Sequence, residues 1–219
     1  MRTKLYKLTD EHGQTYNNTQ WGEGVTHTAS DTGALCTTGW LHAYTDPYIA
    51  ILLNPIHADF TSALLWTAEG EIEITEYDLK VECTTLTTLR TIPLPILTTE
   101  QRVHIAVLCA LEVYHKPVFV TWANNWINGT DRSRETVQAA TRTVQATLWA
   151  EEAALAAVQA LWAADAVAEW ATCAAAQAEE WAEEWAEEAA YAAAYAVADA
   201  AQKNIVLRNI IYSVVHPGA

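Results

Sequence analysis

SRETVQAATRTVQATLWAEEAALAAVQALWAADAVAEWATCAAAQAEEWAEEWAEEAAYAAAYAVADAAQ, residues Ser133–Gln202, decides the fold class. Every residue type in it is a fair or good helix former, and neither glycine nor proline occurs between Thr130 and Val215. As one unbroken rod the stretch would span roughly 105 Å at ~1.5 Å per residue, too long for a compact domain to cover. It must fold back on itself or pair with other copies of the chain. Trp162, Ala166, Trp170, Trp181, Trp185 and Tyr195 form a slowly drifting stripe along it. Glu179, Glu180, Glu183, Glu184, Glu187 and Glu188 flank that stripe. Alanine lets helices approach closely and indoles fill the gaps between them. The expectation is an all-α, alanine- and tryptophan-rich bundle completed between subunits, hence a homo-oligomer.

Charge follows the same division. The net charge is −15, and eleven of the 27 acidic residues lie between Arg142 and Lys203, where no basic residue occurs. Such a surface repels phosphate, so no nucleic-acid partner is expected. It reads as a solvated glutamate face or as an imitation of DNA. No charged leader precedes an apolar stretch, and no uncharged run is long enough to span a membrane. The four cysteines are scattered, which suits free thiols in a reducing compartment. The expected location is a host cytoplasm.

Ahead of the helices, the chain reads as mostly β. Thr3–Leu8 alternates; Gly13, Asn17-Asn18 and Trp21-Gly22-Glu23-Gly24 mark turns; Val25–Thr28 is a short strand. Ala34–Tyr44 is apolar and threonine-rich. Thr45 or Asp46 caps a short helix with Pro47 in its first turn, over Tyr48–Leu53 and ending before Pro55. Ala63–Ile74 is a long strand with a bulge or bend at Glu69-Gly70, and Leu79–Cys83 and Leu86–Ile92 are two more. Thr98 or Thr99 then caps a helix through Tyr114, with Val103, Val107, Ala110, Leu111 and Tyr114 on one face at helical spacing. Val118–Ile127 and Ile205–Val215 are further helices. The fold class is α+β, with a mostly-β ligand-binding domain over 1–97 and a helical bundle over 98–219.

No catalytic triad, phosphate-cradling glycine loop or metal-ligand pair is present, and no cofactor is implied. His27, His42 and His57 recur every fifteen residues beside Asp59, a spacing that coincidence explains. In an alternating strand Trp40, His42 and Tyr44 share a face. That face is either a partly polar core or a floor on which a flat base stacks. Trp21 lies in a flanking loop, and such loops on a β scaffold are where ligands sit. A nucleotide also needs cations or N–H groups for its phosphates. Arg90 or Lys80 supplies charge in the β domain. Arg102, His104, Arg132 and Arg134 supply it at the junction, the last two at a helix start that favours an anion.

The chain carries three resemblances. LCTTGWLHAYTDPYIAILLNP (Leu35–Pro55), LLWTAEGEIEI (Leu64–Ile74) and LKVECTTLTTLRTIPLP (Leu79–Pro95) resemble an uncharacterised domain family of tailed-phage and bacterial proteins. Its phage members commonly carry an alanine- and tryptophan-rich helical tail. The order of elements is also similar to the ADP-ribosyltransferase-like fold, with Tyr6 on the first strand and Gly39-Trp40 through Thr45 on the second. That fold's catalytic glutamate has no counterpart in Leu86–Pro93, so the resemblance implies an ADP-ribose-shaped cleft without transferase chemistry. CALEVYHKPVFVTWANNWINGTDRSRETVQAATRT (Cys109–Thr143) resembles the helical repeats of some bacterial toxin-immunity proteins, implying an interaction bundle. The leading expectation is a phage counter-defence protein that binds and sequesters a nucleotide-derived signal of the ADP-ribose type. An acidic inhibitor of a host protein and a nucleotide-acting enzyme, with Glu69, Glu71 or Glu73 beside the cleft, are the alternatives.

Overall fold

The computed structural model describes residues 2–29, 39–76, 80–145, 160, 164 and 204–217. The chain combines an antiparallel sheet with helices and divides into two compact units, Met1–Ile96 and Leu97–Ala219. Expectations about the tryptophan stripe from Trp162 to Tyr195 and its flanking glutamates fall outside the described residues, as do Cys36 and Cys173.

In the first unit, β1 (Thr3–Thr9) alternates and buries Leu5 and Lys7 on one face. It runs into a small hairpin, β2 (Gln14–Thr15) and β3 (Thr19–Gln20), joined by a 3-10 turn over Tyr16–Asn18. Asn17 and Asn18 adopt φ of 59° and 54°, left-handed values that asparagine tolerates better than most residues. β4 (Thr26–Thr28) and β5 (Leu41–Tyr44) lie end to end along one edge of β7 (Lys80–Ile92). β6 (Leu64–Glu76) takes the other edge of β7 and also pairs with β1. A bridge between Tyr6 and Tyr44 joins β1 to β5, so β1, β6, β7 and β5 close into a ring of antiparallel pairings. One face of this ring carries the core of Leu5, Ala43, Ala68, Val81, Cys83 and Leu86, with Trp21 packed among them.

β7 corrects one expectation, because it is a single strand where two were read. Thr84 and Thr85, placed at the supposed break, are β-branched and fit a pleated surface. Gly70 stays paired with Leu86, and the register shifts fall beside it. A Cβ there would stand 2.9 Å from Thr85 O and 3.0 Å from Cys83 Sγ, so glycine lets β6 and β7 approach. Helix α1 (Pro47–His57) starts as its sequence signals: Asp46 Oδ1 accepts from Tyr48 N at 2.8 Å, with Pro47 first in the helix. It runs past Pro55, however. In the last turn a proline forfeits one backbone bond, and Asn54 O is still met by the N–H groups of Ala58 and Asp59. The helix packs on β1 and β5 and buries Ile49, Ala50, Leu52 and Leu53.

In the second unit, Thr98 caps α2 (Thr99–Val113) in a reciprocal box. Its hydroxyl accepts from Gln101 N at 3.2 Å, and Gln101 Oε1 accepts from Thr98 N at 2.9 Å. Val103, Val107, Ala110 and Tyr114 are buried and Leu111 half-buried, while Ile105, Ala106 and Cys109 are buried as well, because α2 packs against both α3 (Pro117–Ile127) and α5 (Asn204–Val215). From α3, Phe119, Trp122, Ala123 and Trp126 are buried, and α4 (Arg134–Gln145) packs against that helix with Val137, Ala140 and Val144. Among the described residues, no helix is long and apolar enough to cross a membrane.

Candidate functional site

The register places five residues of the first unit in one row. Arg90 pairs with Thr67, Thr67 with Tyr6, Tyr6 with Tyr44, and Tyr44 with Lys80. Directly paired residues on antiparallel strands point to the same side, so this row lies on the face opposite Leu5 and Ala43. Lys4 and Glu69 form the next cross-strand pair along β1 and β6.

At the Arg90 end this face opens into a groove of about 460 Å³, lined by Lys4, Glu23, Thr67, Glu69, Leu89 and Arg90. Local sequence explains its shape. The turn from Gly22 to Val25 is held to β7 by Gly24 N donating to Thr88 O at 2.8 Å and the Thr88 hydroxyl donating to Gly22 O at 2.6 Å. Glu23 rides on that turn. The register shift between Thr67 and Ala68 leaves Leu89 without a partner on β6, and Arg90 pairs beyond it. Thr67 Oγ1 donates to Arg90 O at 3.2 Å, and Lys4 Nζ stands 5.6 Å from the centre of the Tyr6 ring. Two cations, two carboxylates and a hydroxyl thus converge on one concavity.

Trp21 belongs elsewhere. It is 3 % exposed, and its indole N–H donates to Thr15 Oγ1 at 2.9 Å. Lys7 Nζ sits 5.0 Å from the ring centre and His27 meets the ring edgewise at 4.6 Å. His27 in turn donates from Nε2 to Gln20 O. The indole is a core group rather than a plate offered to a ligand, because its apolar area and its one donor are both used internally. Trp40 and Tyr44 are buried as well. Lys7 Nζ donates to His42 O at 2.7 Å; burial lowers its pKa to about 8, with Cys83 opposing and Lys80 reinforcing the shift. Burial also pushes the Cys83 thiol up to about 12, so it stays protonated and unreactive.

His42 pairs across β5 and β7 with Glu82, Nε2 to Oε1 at 3.2 Å, and Glu82 is 1 % exposed. A buried carboxylate on one ring nitrogen fixes the orientation of the imidazole.

The remaining candidates lie in the second unit. Arg132 stacks on Trp126 with its guanidinium carbon 4.5 Å from the ring centre. It donates from Nε to Trp126 O at 2.8 Å and from Nη1 to Glu100 Oε1. His104 meets the same indole edgewise at 6.1 Å. Burial lowers its pKa, Arg132 lowers it further, and Glu100 opposes. The start of α4 is also taken. Asp131 Oδ1 accepts from Ser133 N at 2.9 Å and from Thr136 Oγ1 at 3.1 Å, and these bonds hold its pKa below the ordinary carboxylate value. The anion expected there is the chain's own aspartate. Arg102 is buried on α2, and Arg134 is exposed in the first turn of α4.

The ten sequence candidates are thus divided between the units: Trp21, Trp40, His42, Tyr44, Lys80 and Arg90 in the first, Arg102, His104, Arg132 and Arg134 in the second. Of these, the groove contains Arg90. Its partners Lys4, Glu23 and Thr67 were not among the candidates, because the pairing that gathers them depends on a register shift that no local pattern announces. Among the described residues no group of three His, Cys, Asp or Glu could hold a metal ion. Comparison with protein-family models, with curated proteins and with solved structures finds no match for this chain.

Proposed function

We propose that the chain is a binding protein whose β unit captures a phosphorylated, ribose-bearing molecule of the ADP-ribose type without making or breaking a bond. The groove that gathers Lys4, Arg90, Glu23 and Glu69 carries this reading. An ammonium and a guanidinium suit the two phosphates, with the guanidinium able to take two oxygens at once. Carboxylates accept hydrogen bonds from ribose hydroxyls and cannot donate any. Tyr6, beside Lys4, offers the aromatic surface for the base. The volume falls in the range usual for small-molecule sites, about 300–1,000 Å³.

The likeness to tailed-phage proteins adds a setting to this proposal: an accessory protein in a host cytoplasm that withdraws a nucleotide-derived defence signal. The ADP-ribosyltransferase-like arrangement belongs to the same proposal, resting on element order, with Tyr6 on β1 and Gly39–Thr45 leading into α1. So does self-association, resting on the tryptophan content of the alanine-rich stretch. Sedimentation as a pure monomer at micromolar concentration would remove that part.

Calorimetry with ADP-ribose tests the site. Arg90→Ala and Lys4→Ala should each weaken binding by about tenfold or more, as expected for losing a hydrogen bond to a charged group. Glu69→Gln should weaken ADP-ribose while sparing inorganic pyrophosphate. Unchanged affinity in Arg90→Ala, or no binding by the unmodified chain, ends the proposal. The His42–Glu82 pair favours a second reading, an enzyme acting on nucleotides. Chromatography of the recovered ligand separates the two: binding returns it intact, whereas turnover that Glu82→Gln abolishes would establish the enzyme.

A further inference from the structure

Two walls of the β-unit groove are set by one residue that is buried behind them. Glu23 comes from the turn Gly22–Val25, whereas Leu89 and Arg90 follow one another on β7. Thr88, the residue before them, is fully buried and meets that turn through every polar group it has. Its N–H donates to Val25 O at 3.0 Å, and its carbonyl accepts from Gly24 N at 2.8 Å. Its hydroxyl donates to Gly22 O at 2.6 Å, with Val25 O at 3.4 Å. Any residue but proline could make the two backbone bonds; the third needs a hydroxyl. Val25 N closes the turn onto Gly22 O at 3.2 Å, and Gly24 at its third position has φ of 73°, a value that favours glycine. Glu23 stands exposed at the apex, so the depth of its carboxylate follows from how firmly Gly22 is tied.

The other wall begins at the same residue. Thr88 pairs with Ala68 and Arg90 with Thr67, leaving Leu89 as the extra residue between them. In a regular strand residues two apart share a face, so Arg90 would follow Thr88 inward; the bulge turns it out to the groove. Thr88 is therefore the last regularly paired residue before Arg90 and the anchor of Glu23 at once.

Taking the groove as the ligand site of the β unit, we propose that Thr88 is its positioning residue and sets its selectivity. The hydroxyl holds Glu23 across from Arg90, so that one ligand spans both walls, with phosphate on the guanidinium and a sugar hydroxyl on the carboxylate. With that tie in place the groove prefers phosphates that carry a hydroxylated sugar over bare phosphates.

Thr88→Val keeps the shape and the backbone bonds and removes the hydroxyl, whereas Thr88→Ser keeps the hydroxyl. By calorimetry on the full chain, Thr88→Val should bind ADP-ribose about tenfold more weakly, as for losing a hydrogen bond to a carboxylate, and inorganic pyrophosphate no more weakly. Thr88→Ser should stay close to the unmodified chain. Glu23→Ala should show the same selective loss, and adding Thr88→Val to it should cost nothing further, because both act through one carboxylate. Should Thr88→Val fail to fold, Thr88→Ala takes its place. Equal loss for the two compounds, losses that add in the double variant, or undiminished ADP-ribose affinity in Thr88→Val would each overturn the assignment. Hydrogen exchange of the Gly24 amide in the ligand-free chain keeps this apart from a failure of the site itself. Thr88→Val should speed that exchange about tenfold, and Thr88→Ser should not. If the unmodified chain binds neither compound, the ligand reading of the groove fails while the exchange still decides Thr88: an unaltered Gly24 rate overturns its positioning role, and a faster one sustains it.

Discussion

Each unit holds a tryptophan with a cation over its face, and the two pairs behave in opposite ways. In the β unit the cation is Lys7, buried with Trp21 inside the ring of strands. In the helical unit it is Arg132, whose side chain is 39 % exposed and which lies over Trp126 while gripping Glu100 at the rim. An ammonium can give up its proton to escape burial; a guanidinium cannot. Lys7 accordingly has a depressed pKa, whereas Arg132 stays at the edge and takes a carboxylate partner. The same contact is therefore a cost held inside one core and a clasp laid across the surface of the other.

The largest effect that can break this comparison comes from the indoles. Trp21→Ala and Trp126→Ala should each cost about 3–5 kcal/mol, since both rings are almost fully buried. Hydrogen exchange read peptide by peptide distinguishes the units. Trp21→Ala should speed exchange in β1 and β6, and Trp126→Ala in α2 and α3. Equal acceleration of both halves by either variant would mean that the two units unfold as one.

These two rings also mark how far the sequence could be read. Helix starts were legible because their chemistry is local: Asp46-Pro47 opens α1 and Thr98 opens α2, each through a side chain within three residues of the N–H it meets. The long β6 and the alternation of β1 were legible from period-two patterning. Membership of a site was not. Trp21 sits in a glycine-rich loop, the usual place for a ligand contact, yet a donor bond to Thr15 and the ammonium of Lys7 turn it inward. Arg132 lies where a helix start attracts anions, but Glu100, thirty-two positions away, claims it. Arg90 meets Lys4 and Glu23 through a register shift that follows from the packing of β6 on β7. Each of these outcomes depends on a partner distant in sequence.

A smaller effect sharpens the contrast through pH. With the Lys7 pKa near 8 in the folded chain against 10.5 for a free lysine, the folded form releases a proton that the unfolded form still holds at intermediate pH. Stability then rises with pH above 8. Cys83 acts the other way from about pH 8 upward, because its raised folded pKa makes the unfolded chain the one that loses a proton around 9.0. From pH 8 to 9 the lysine outweighs the thiol, and the β unit should gain about 0.6 kcal/mol in urea melts. Lys7→Met removes this rise. At pH 7 it should also stabilise the β unit by about 2 kcal/mol: about 3 for the relieved burial, less about 1 for the bond to His42 O. A flat wild-type profile from pH 8 to 9 would show that the ammonium is not disfavoured where it sits.

The smallest effect belongs to the rim. Glu100 is 60 % exposed and Arg132 39 %, so water screens their pairing and exposed ion pairs contribute about 0–1 kcal/mol. Glu100→Gln should cost about 0.5 kcal/mol or less, and the difference should vanish in 1 M salt, where the screening length falls to ~3 Å. Stability alone would barely register the change, but His104 reports it more sensitively. Its pKa is already low through burial and the nearby Arg132, and the Glu100 carboxylate is what opposes them. Removing that negative charge leaves Arg132 acting alone, so the midpoint of the His104 ring-proton titration should fall further. Trp126 and the backbone bond from Arg132 Nε to Trp126 O should keep the guanidinium in place throughout. If Glu100→Gln instead cost as much as an indole, or raised the His104 midpoint, Arg132 would be leaving its ring without the carboxylate. The clasp would then be held by the ion pair rather than by the stacking.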